Sequence, residues 1–385
     1  MAPNLALYVH IPFCRRKCGY CSFASYESNG VHIQPYLQAL KSEITRRATN
    51  ERLGSIYIGG GTPSLLTVAQ FADLLAAIGR SFSLDETVEI TVEVNPGTID
   101  GAYLSALRGL GVNRLSLGVQ SLDNGELRLL GRIHTAEDAI DSARCARAAG
   151  FTNVNFDLIY GMPGQSLLEW QNTLDEALVL APEHLSLYSL TLEDETPMWK
   201  AVQDGSLPGI DADLAAEQYE TAEDMLAEGG YRHYEISNWA KPGMECSHNM
   251  IYWQNRPYMG VGLAAHSWLE NRRLANTGSL DEYLACFSEG LTPLPAIDEE
   301  ISQETELAET VILGLRLGNG IRIGEVNRRF SVDIMARYGG IIGEMTDCGL
   351  LEYDRGRLKL TRRGRLLSNE VFWRFLPDNR EMAIT

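Results

Sequence analysis

Tyr8-Val9-His10-Ile11-Pro12-Phe13-Cys14-Arg15-Arg16-Lys17-Cys18-Gly19-Tyr20-Cys21 is the stretch on which the reading of this chain turns. An apolar run ends in a loop that carries three cysteines within eight residues, spaced C-x3-C-x2-C. Such a loop offers three thiolates to one metal centre, one fewer than a closed tetrahedral zinc site or a fully protein-ligated [4Fe-4S] cubane takes. On a cubane one iron is left open. The competing readings are a zinc site completed from far along the chain by Cys246 or His248, and a disulfide.

With 385 residues, 45% of them apolar, the chain can bury a large core and has room for one barrel-sized domain plus a smaller one. No stretch approaches about 18 consecutive apolar residues, and no charged-then-apolar leader precedes Cys14, so a cytoplasmic protein is expected. Seven cysteines, three of them in one short loop, suit a reducing compartment and cluster ligation better than a disulfide framework. Cys145, Cys286 and Cys348 fall in helix-like or apolar contexts and are expected to be core thiols. The net charge of −18 opposes broad binding to polyanions, so no nucleic-acid partner is expected. Arg15-Arg16-Lys17 reads as a solvated basic run, with steering of an anionic reductant or substrate as the alternative.

Working outward from the cysteine loop, short apolar or alternating runs recur at 5–11, 55–59, 89–95, 114–120, 153–160 and 184–192. Segments of helical spacing lie between them at 33–47, 68–78, 136–149 and 167–180. Strand then helix, six times over, predicts a parallel α/β sheet with right-handed crossovers, and six units fit a partial (β/α)6 barrel. An open doubly wound sheet is the competitor. The strand ends favour the barrel, because Gly59-Gly60-Gly61-Thr62-Pro63, Glu93-Val94-Asn95-Pro96 and Gln120-Ser121 finish three strands in polar or glycine-rich elements and Asp157 sits in a fourth. Polar groups gathered at the C-terminal mouth are how a barrel active site looks in sequence, and the cysteine loop, following the first strand, joins them there.

Beyond the sixth strand, 211–228 reads as an exposed acidic helix, 231–268 as an irregular aromatic-rich stretch and Gly290-Leu291-Thr292-Pro293-Leu294-Pro295 as a linker. Helical spacing returns at 304–317 and 332–345, then 350–353 and 357–360 flank Asp354-Arg355-Gly356 as a hairpin, and a last helix is expected over 362–375. The expected division is therefore 1–290 for the barrel and 291–385 for a smaller α+β, winged-helix-like module. A packing or lid role is the preferred reading of that module. DNA binding through Arg355, Arg357, Lys359, Arg362, Arg363 and Arg365 is the alternative.

The cysteine loop and its setting resemble the radical S-adenosylmethionine (SAM) superfamily, in which the amino and carboxylate groups of SAM chelate the open iron. For such a ligand, Gly59-Gly60-Gly61 allows close backbone approach to the methionine ammonium. Glu93 is a candidate acceptor from the ammonium or ribose, and Arg132 a candidate bidentate partner of the carboxylate. Gln120 and Asp157 offer ribose contacts, and Tyr20 a surface for the adenine. More narrowly, Tyr8-x-His10-Ile11-Pro12-Phe13-Cys14, the glycine triplet with Thr62-Pro63, Glu93, Gln120-Ser121, Arg132 and Asp157 resemble the oxygen-independent coproporphyrinogen III oxidase family. The resemblance covers roughly the whole barrel and, less specifically, the C-terminal module. It implies a SAM site of Tyr8, Tyr20, Gly60, Gly61, Thr62, Glu93, Gln120, Arg132 and Asp157, with Cys14, Cys18 and Cys21 on a [4Fe-4S] cluster. Singly, each polar residue has an ordinary structural reading: a cap for Asp157, a backbone partner for Gln120, a surface ion pair for Arg132.

Two departures separate the chain from the oxidases of that family. Those carry a fourth cysteine two positions after the third, where Phe23 stands here, and a long N-terminal segment, whereas this sequence begins thirteen residues before Cys14. His248-Asn249-Met250-Ile251-Tyr252-Trp253 instead matches the H-N-x-x-Y-W pattern of a haem-chaperone branch, placing a haem-associated segment near 246–268. There His248 is the candidate haem ligand, with Cys246 nearby as a thiolate and Tyr252 and Trp253 as an apolar wall. The residues alone favour a structural role for His248, and the resemblance reverses that; His266 and His233 read as structural. The leading expectation is a chaperone that binds haem, cluster and SAM and passes haem to an acceptor haemoprotein, the cluster and SAM controlling homodimerisation or release. Oxidative decarboxylation of coproporphyrinogen III, or another radical SAM reaction on a porphyrin, is the enzyme alternative. The resemblance identifies neither the acceptor nor the electron donor, and no residue is assigned as catalytic.

Overall fold

A computed structural model describes residues 5–27, 30–288 and 295–377. Six strands, β1 (Leu5–Ile11), β2 (Arg52–Gly60), β3 (Ser83–Val94), β4 (Arg114–Gln120), β5 (Val154–Tyr160) and β6 (His184–Ser189), lie side by side in chain order, every neighbouring pair parallel. The crossovers carry α1 (Ile33–Arg46), α2 (Val68–Ser81), α3 (Gly101–Gly109), α4 (Asn124–Leu129), α5 (Ala136–Ala148) and α6 (Leu167–Leu180). Local sequence fixes several starts. Thr67 with Gln70, Thr135 with Asp138 and Ser166 with Glu169 form reciprocal capping boxes at α2, α5 and α6, each satisfying backbone donors that the first turn leaves free. The strands' apolar residues and the helices' inner faces share one continuous core, with Leu7, Val9, Ile58, Val92, Leu117, Phe156 and Leu187 almost wholly buried. This is the expected partial barrel.

β1 and β6 do not meet, so the barrel stays open, and both of its edges are extended. β6 is followed by β8 (Asn238–Ala240) and β7 (Arg232–Glu235), both antiparallel. β1 is flanked by β9 (Tyr258–Val261), parallel to it, and then by antiparallel β10 (His266–Leu269), β11 (Arg272–Ala275) and β12 (Ile297–Glu300). The whole makes a twelve-stranded sheet. The stretch 231–268, expected to be irregular, therefore carries four strands, β7 to β10; strands of three or four residues are too short for alternation to show against the many aromatics.

The remaining helices of the larger unit are α7 (Pro197–Gln203), α8 (Ala212–Glu228), α9 (Ser247–Trp253) and α10 (Leu280–Ser288). α9 sits against the lower part of the barrel. The Glu89 carboxylate on β3 accepts from the backbone N–H of Ser247 and His248 (3.1 Å each), and Ser55 on β2 pairs with His248 Nδ1 (2.9 Å). Ser55 lies five residues before Gly60, about 16 Å down the strand from the mouth at roughly 3.3 Å per residue. α9 thus plugs the barrel floor, beside a buried polar layer in which His184 bonds Asn155 (2.7 Å) and Tyr234 (2.8 Å).

The C-terminal module has its own core, built on Leu307, Val311, Ile334, Leu358 and Phe375. It packs α11 (Gln303–Leu315), α12 (Ile323–Phe330) and α13 (Ile334–Asp347) with a three-stranded sheet of β13 (Ile321–Arg322), β15 (Arg357–Leu360) and β14 (Leu351–Asp354), in that spatial order. The winged-helix-like description holds. The single closing helix expected over 362–375 is instead α14 (Arg362–Leu366), α15 (Ser368–Phe372) and a 3-10 turn Trp373–Phe375, a broken path that buries both Val371 and Phe375. The boundary expected at 290/291 and most of the Gly290–Pro295 linker lie outside the described residues.

α8, expected as an exposed helix, buries Ala215, Tyr219, Ala222 and Leu226 and turns its acidic residues to the module. Arg362 bonds Asp224 (2.7 Å) and Arg365 bonds Glu223 (2.7 Å), Glu223 also facing Arg362 (3.1 Å) and His233 (3.2 Å). Lys359 pairs with Glu352, and Arg357 donates to the Asn319 carbonyl. Most of the basic set considered for DNA is therefore engaged within the protein, which favours the packing role. All seven cysteines are free thiols; Cys348, expected in the core, is exposed, while Cys145 and Cys286 are half-buried. Among the described residues no helix is long and apolar enough to cross a membrane.

Candidate functional site

The cysteine loop leaves β1 at the barrel mouth and is pinned on both flanks. Gly19 donates its N–H to the Leu130 carbonyl (3.2 Å) and accepts from the N–H of Met198 at the start of α7 (2.9 Å). His10 Nε2 meets the Ala24 carbonyl (2.8 Å), and the Lys17 N–H reaches Glu27 (2.9 Å). Held this way, Cys14, Cys18 and Cys21 all line one cavity of about 340 Å³, together with Tyr20, Gly60, Gly61, Thr62, Glu93, Gln120, Arg132 and Asp157. Eleven of the twelve residues expected at cluster and SAM are brought together. The exception is Tyr8, which bonds His10 Nδ1 (3.0 Å) and lines a second, adjoining cavity.

Among the described residues no group of three His, Cys, Asp or Glu converges on a single metal ion. A cubane does not ask for that, since each thiolate takes a different iron; a mononuclear zinc site does. The distant residues considered for zinc are also committed elsewhere. Cys246 is buried with its thiol on Glu89 (3.4 Å), and His248 has both ring nitrogens occupied. The donor set fits a cluster with an open position. Burial pushes the Cys14 and Cys21 thiols up, so a metal centre must deprotonate them on binding.

A polar chain ties two of the cysteines to the strand ends. Thr62 Oγ1 donates to Cys14 Sγ (3.6 Å) and accepts from Asn95 Nδ2 (2.8 Å); Asn95 Oδ1 accepts from Arg132 (2.7 Å), which also donates to Cys18 Sγ (3.4 Å) and to the Gly118 carbonyl (3.0 Å). With its Nε toward His134 as well (3.4 Å), Arg132 acts here as a brace between loop and sheet rather than as a free fork. Asn95, absent from the expected site, is its hinge. The signal was present in sequence: Asn95 follows Glu93 by two residues at the end of β3, where alternation puts both on one face.

Backbone geometry keeps the cavity open. Gly60 has φ +116°, and a Cβ there would sit 2.5 Å from the His10 ring; one at Gly118 would sit 2.7 Å from Asn95 Oδ1. At Gln120 the β4–β5 register shifts and φ is +68°, a left-handed residue at a bulge of the kind that re-aims a side chain beside an active site.

Two carboxyls face this space. Tyr57 OH and the Gly60 N–H donate to Glu93 (2.9 Å each), yet burial, reinforced by nearby Asp157, pushes the Glu93 pKa up to about 7. Burial also raises Asp157, although Ser116 and Asn155 donate to it (2.9 Å each). A buried pair of carboxyls, each raised by its burial, is suited to receive a cationic ligand.

The haem-associated segment divides. His248 is 1% exposed, and its Nδ1 and Nε2 are filled by Ser55 (2.9 Å) and the Tyr252 hydroxyl (2.9 Å), with burial depressing its pKa to about 3. In this arrangement it has no nitrogen free for iron. Tyr252 and Trp253, by contrast, line the second cavity, of about 850 Å³, which also takes in Tyr8, Tyr258, Trp268, His266 and the α11 residues Ile312 and Leu313. His233 stacks on Trp239 (4.2 Å, 6°) as a structural residue, but His266 is exposed to the cavity.

Residues 8–177 match the family model of the Radical SAM superfamily, and the chain is a radical SAM protein in fold. Residues 301–367 match the HemN C-terminal domain. Over nearly its whole length the chain is 38% identical to the Heme chaperone HemW of Lactococcus lactis, covering 98% of each, and 35% identical to that of Bacillus subtilis, covering 96% of this chain and 99% of the relative. It therefore belongs to the HemW family. Among solved structures it is similar to coproporphyrinogen III oxidase (HemN) from Escherichia coli, with a TM-score of 0.85 and 25% identity over 97% of this chain and 90% of that one.

Proposed function

We propose that this protein is a cytoplasmic haem chaperone that carries a [4Fe-4S] cluster on Cys14, Cys18 and Cys21, binds SAM in the adjoining cavity, and delivers haem to an acceptor haemoprotein. The observation that carries the cofactor part is the gathering of three thiols, the glycine wall and the Glu93–Asp157 pair around one 340 Å³ cavity, a volume within the roughly 300–1,000 Å³ of small-molecule sites. Bound there, the cluster would supply an open iron for the amino and carboxylate groups of SAM. The chain's own residues do the rest. Glu93 accepts the ligand's positive charge, which relieves the cost of its burial. Gly60 and Gly61 let backbone approach the ligand, and Arg132 with Asn95 and Thr62 holds the cysteine loop to the sheet.

Near-full-length likeness to proteins named Heme chaperone supports the carrier reading, and so does Phe23, which is 66% exposed between the two cavities where the related oxidases place a fourth cysteine. The test is anaerobic reconstitution followed by iron and sulfide analysis, SAM titration and a haem titration. Four irons per chain, a SAM-induced change in the reduced cluster's spectrum and one tightly held haem are expected. Conversion of coproporphyrinogen III by the reconstituted protein would replace the carrier reading with the enzyme one.

A further inference from the structure

Resting on the carrier reading, we propose that haem sits in the second cavity, between the β1 edge of the barrel and the C-terminal module, with His266 as its axial ligand. The cavity's volume of about 850 Å³ falls in the upper part of the range for small-molecule sites. Its walls are largely aromatic and aliphatic, with Tyr258 and Trp268 on the sheet side, Tyr252 and Trp253 from the end of α9, and Ile312 and Leu313 from α11. Flat aromatic and branched aliphatic faces suit a macrocycle that must leave water.

Iron in such a ligand needs a donor, and the histidines of the region are not equal. His10 has its nitrogens on the Tyr8 hydroxyl (3.0 Å) and the Ala24 carbonyl (2.8 Å). His248 has both of its nitrogens occupied beneath the barrel. His266, at the first position of β10, lines the cavity and is exposed, and its imidazole has no hydrogen bond or ion pair among the described residues. An imidazole with a free nitrogen at an apolar wall is what haem iron takes as an axial ligand.

The rim supplies complements to the propionates. Arg273 lines the cavity and is held at 2.5 Å by Glu309 of α11, so an entering carboxylate would exchange with Glu309 for the same guanidinium. The Arg273–Glu309 pair also couples occupancy to the module, because releasing Glu309 frees α11 from the sheet at that point. The cavity shares Phe23, Gly60 and Glu93 with the first one, so haem there would lie next to bound SAM.

The experiment is an anaerobic haem titration of the cluster-reconstituted protein, followed by Soret absorbance and electron paramagnetic resonance, for wild type, His266→Ala, Leu313→Trp and His248→Ala. Circular dichroism and cluster iron content report whether each variant is folded. The wild type is expected to bind one haem with a histidine-ligated spectrum. His266→Ala should lose that signature and bind at least about tenfold more weakly, and Leu313→Trp, which fills the cavity, should weaken binding without changing the spectrum of what remains bound. A His266→Ala protein with wild-type spectrum and affinity would overturn the assignment, and loss of the signature in folded His248→Ala alone would move the haem to α9. A wild type that binds no haem at all would instead defeat the carrier reading on which the proposal stands.

Discussion

Glu93→Gln separates the electrostatic cost of the site from its use. Folding raises the Glu93 pKa from 4.5 to about 7, chiefly by burial. Because the folded value is the higher one, the stability this group contributes is complete below the unfolded pKa and is lost as pH rises through about 7. A tenfold change in proton affinity is worth about 1.4 kcal/mol, so between pH 5 and pH 8 the wild type should lose about 2–3 kcal/mol through this one carboxyl. Glutamine carries no charge to bury. Its oxygen can accept from the Gly60 N–H while the Tyr57 hydroxyl turns to accept from its amide, so both contacts survive in changed form. Losing the carboxylate also relieves Asp157, which shares the cavity. Urea unfolding of the cluster-free proteins at pH 5 and pH 8 should show a much flatter pH dependence for Glu93→Gln, with the variant the more stable at pH 8. The same variant, reconstituted, should bind SAM far more weakly. Parallel pH profiles for the two proteins would refute the claim that a buried carboxyl is kept here, at a cost, for its ligand.

Cys14→Ala should lower reconstituted iron from about four per chain to near none, read by colorimetric iron analysis, since the remaining two thiolates cannot hold a cubane. Gly118→Ala places a methyl 2.7 Å from Asn95 Oδ1 and 3.4 Å from Arg132; SAM affinity is expected to fall on the order of tenfold by calorimetry, with iron content retained. Glu223→Gln leaves Arg365, Arg362 and His233 facing a neutral group in a largely buried place. Destabilisation of about 1–3 kcal/mol should follow, visible in the urea midpoint at pH 7, chiefly because Arg365 loses its carboxylate partner while Arg362 keeps Asp224.

The parts legible in sequence were those with long periodic signals or dense local chemistry. α1, α2, α5 and α6 showed helical spacing, and β1, β4 and β5 were placed nearly to the residue. The mouth of the barrel was legible because strand ends, glycines and cysteines are local features. What was not legible depends on contacts across the chain. β7 to β12 are each only three or four residues in length and gain their regularity from strand neighbours. Asn95 takes its place through Thr62 and Arg132, distant in sequence. His248 is filled by Ser55, 193 residues away, a contact no motif announces.

The most direct measurement of the central claim is haem delivery. Cluster-reconstituted protein loaded with one equivalent of haem is mixed anaerobically, with SAM, with an apo-haemoprotein, and the Soret band is followed while coproporphyrinogen III turnover is assayed in parallel. Movement of haem to the acceptor with no coproporphyrinogen consumed is the expected result. Haem that never leaves or never binds, or coproporphyrinogen that is oxidised, would contradict the account.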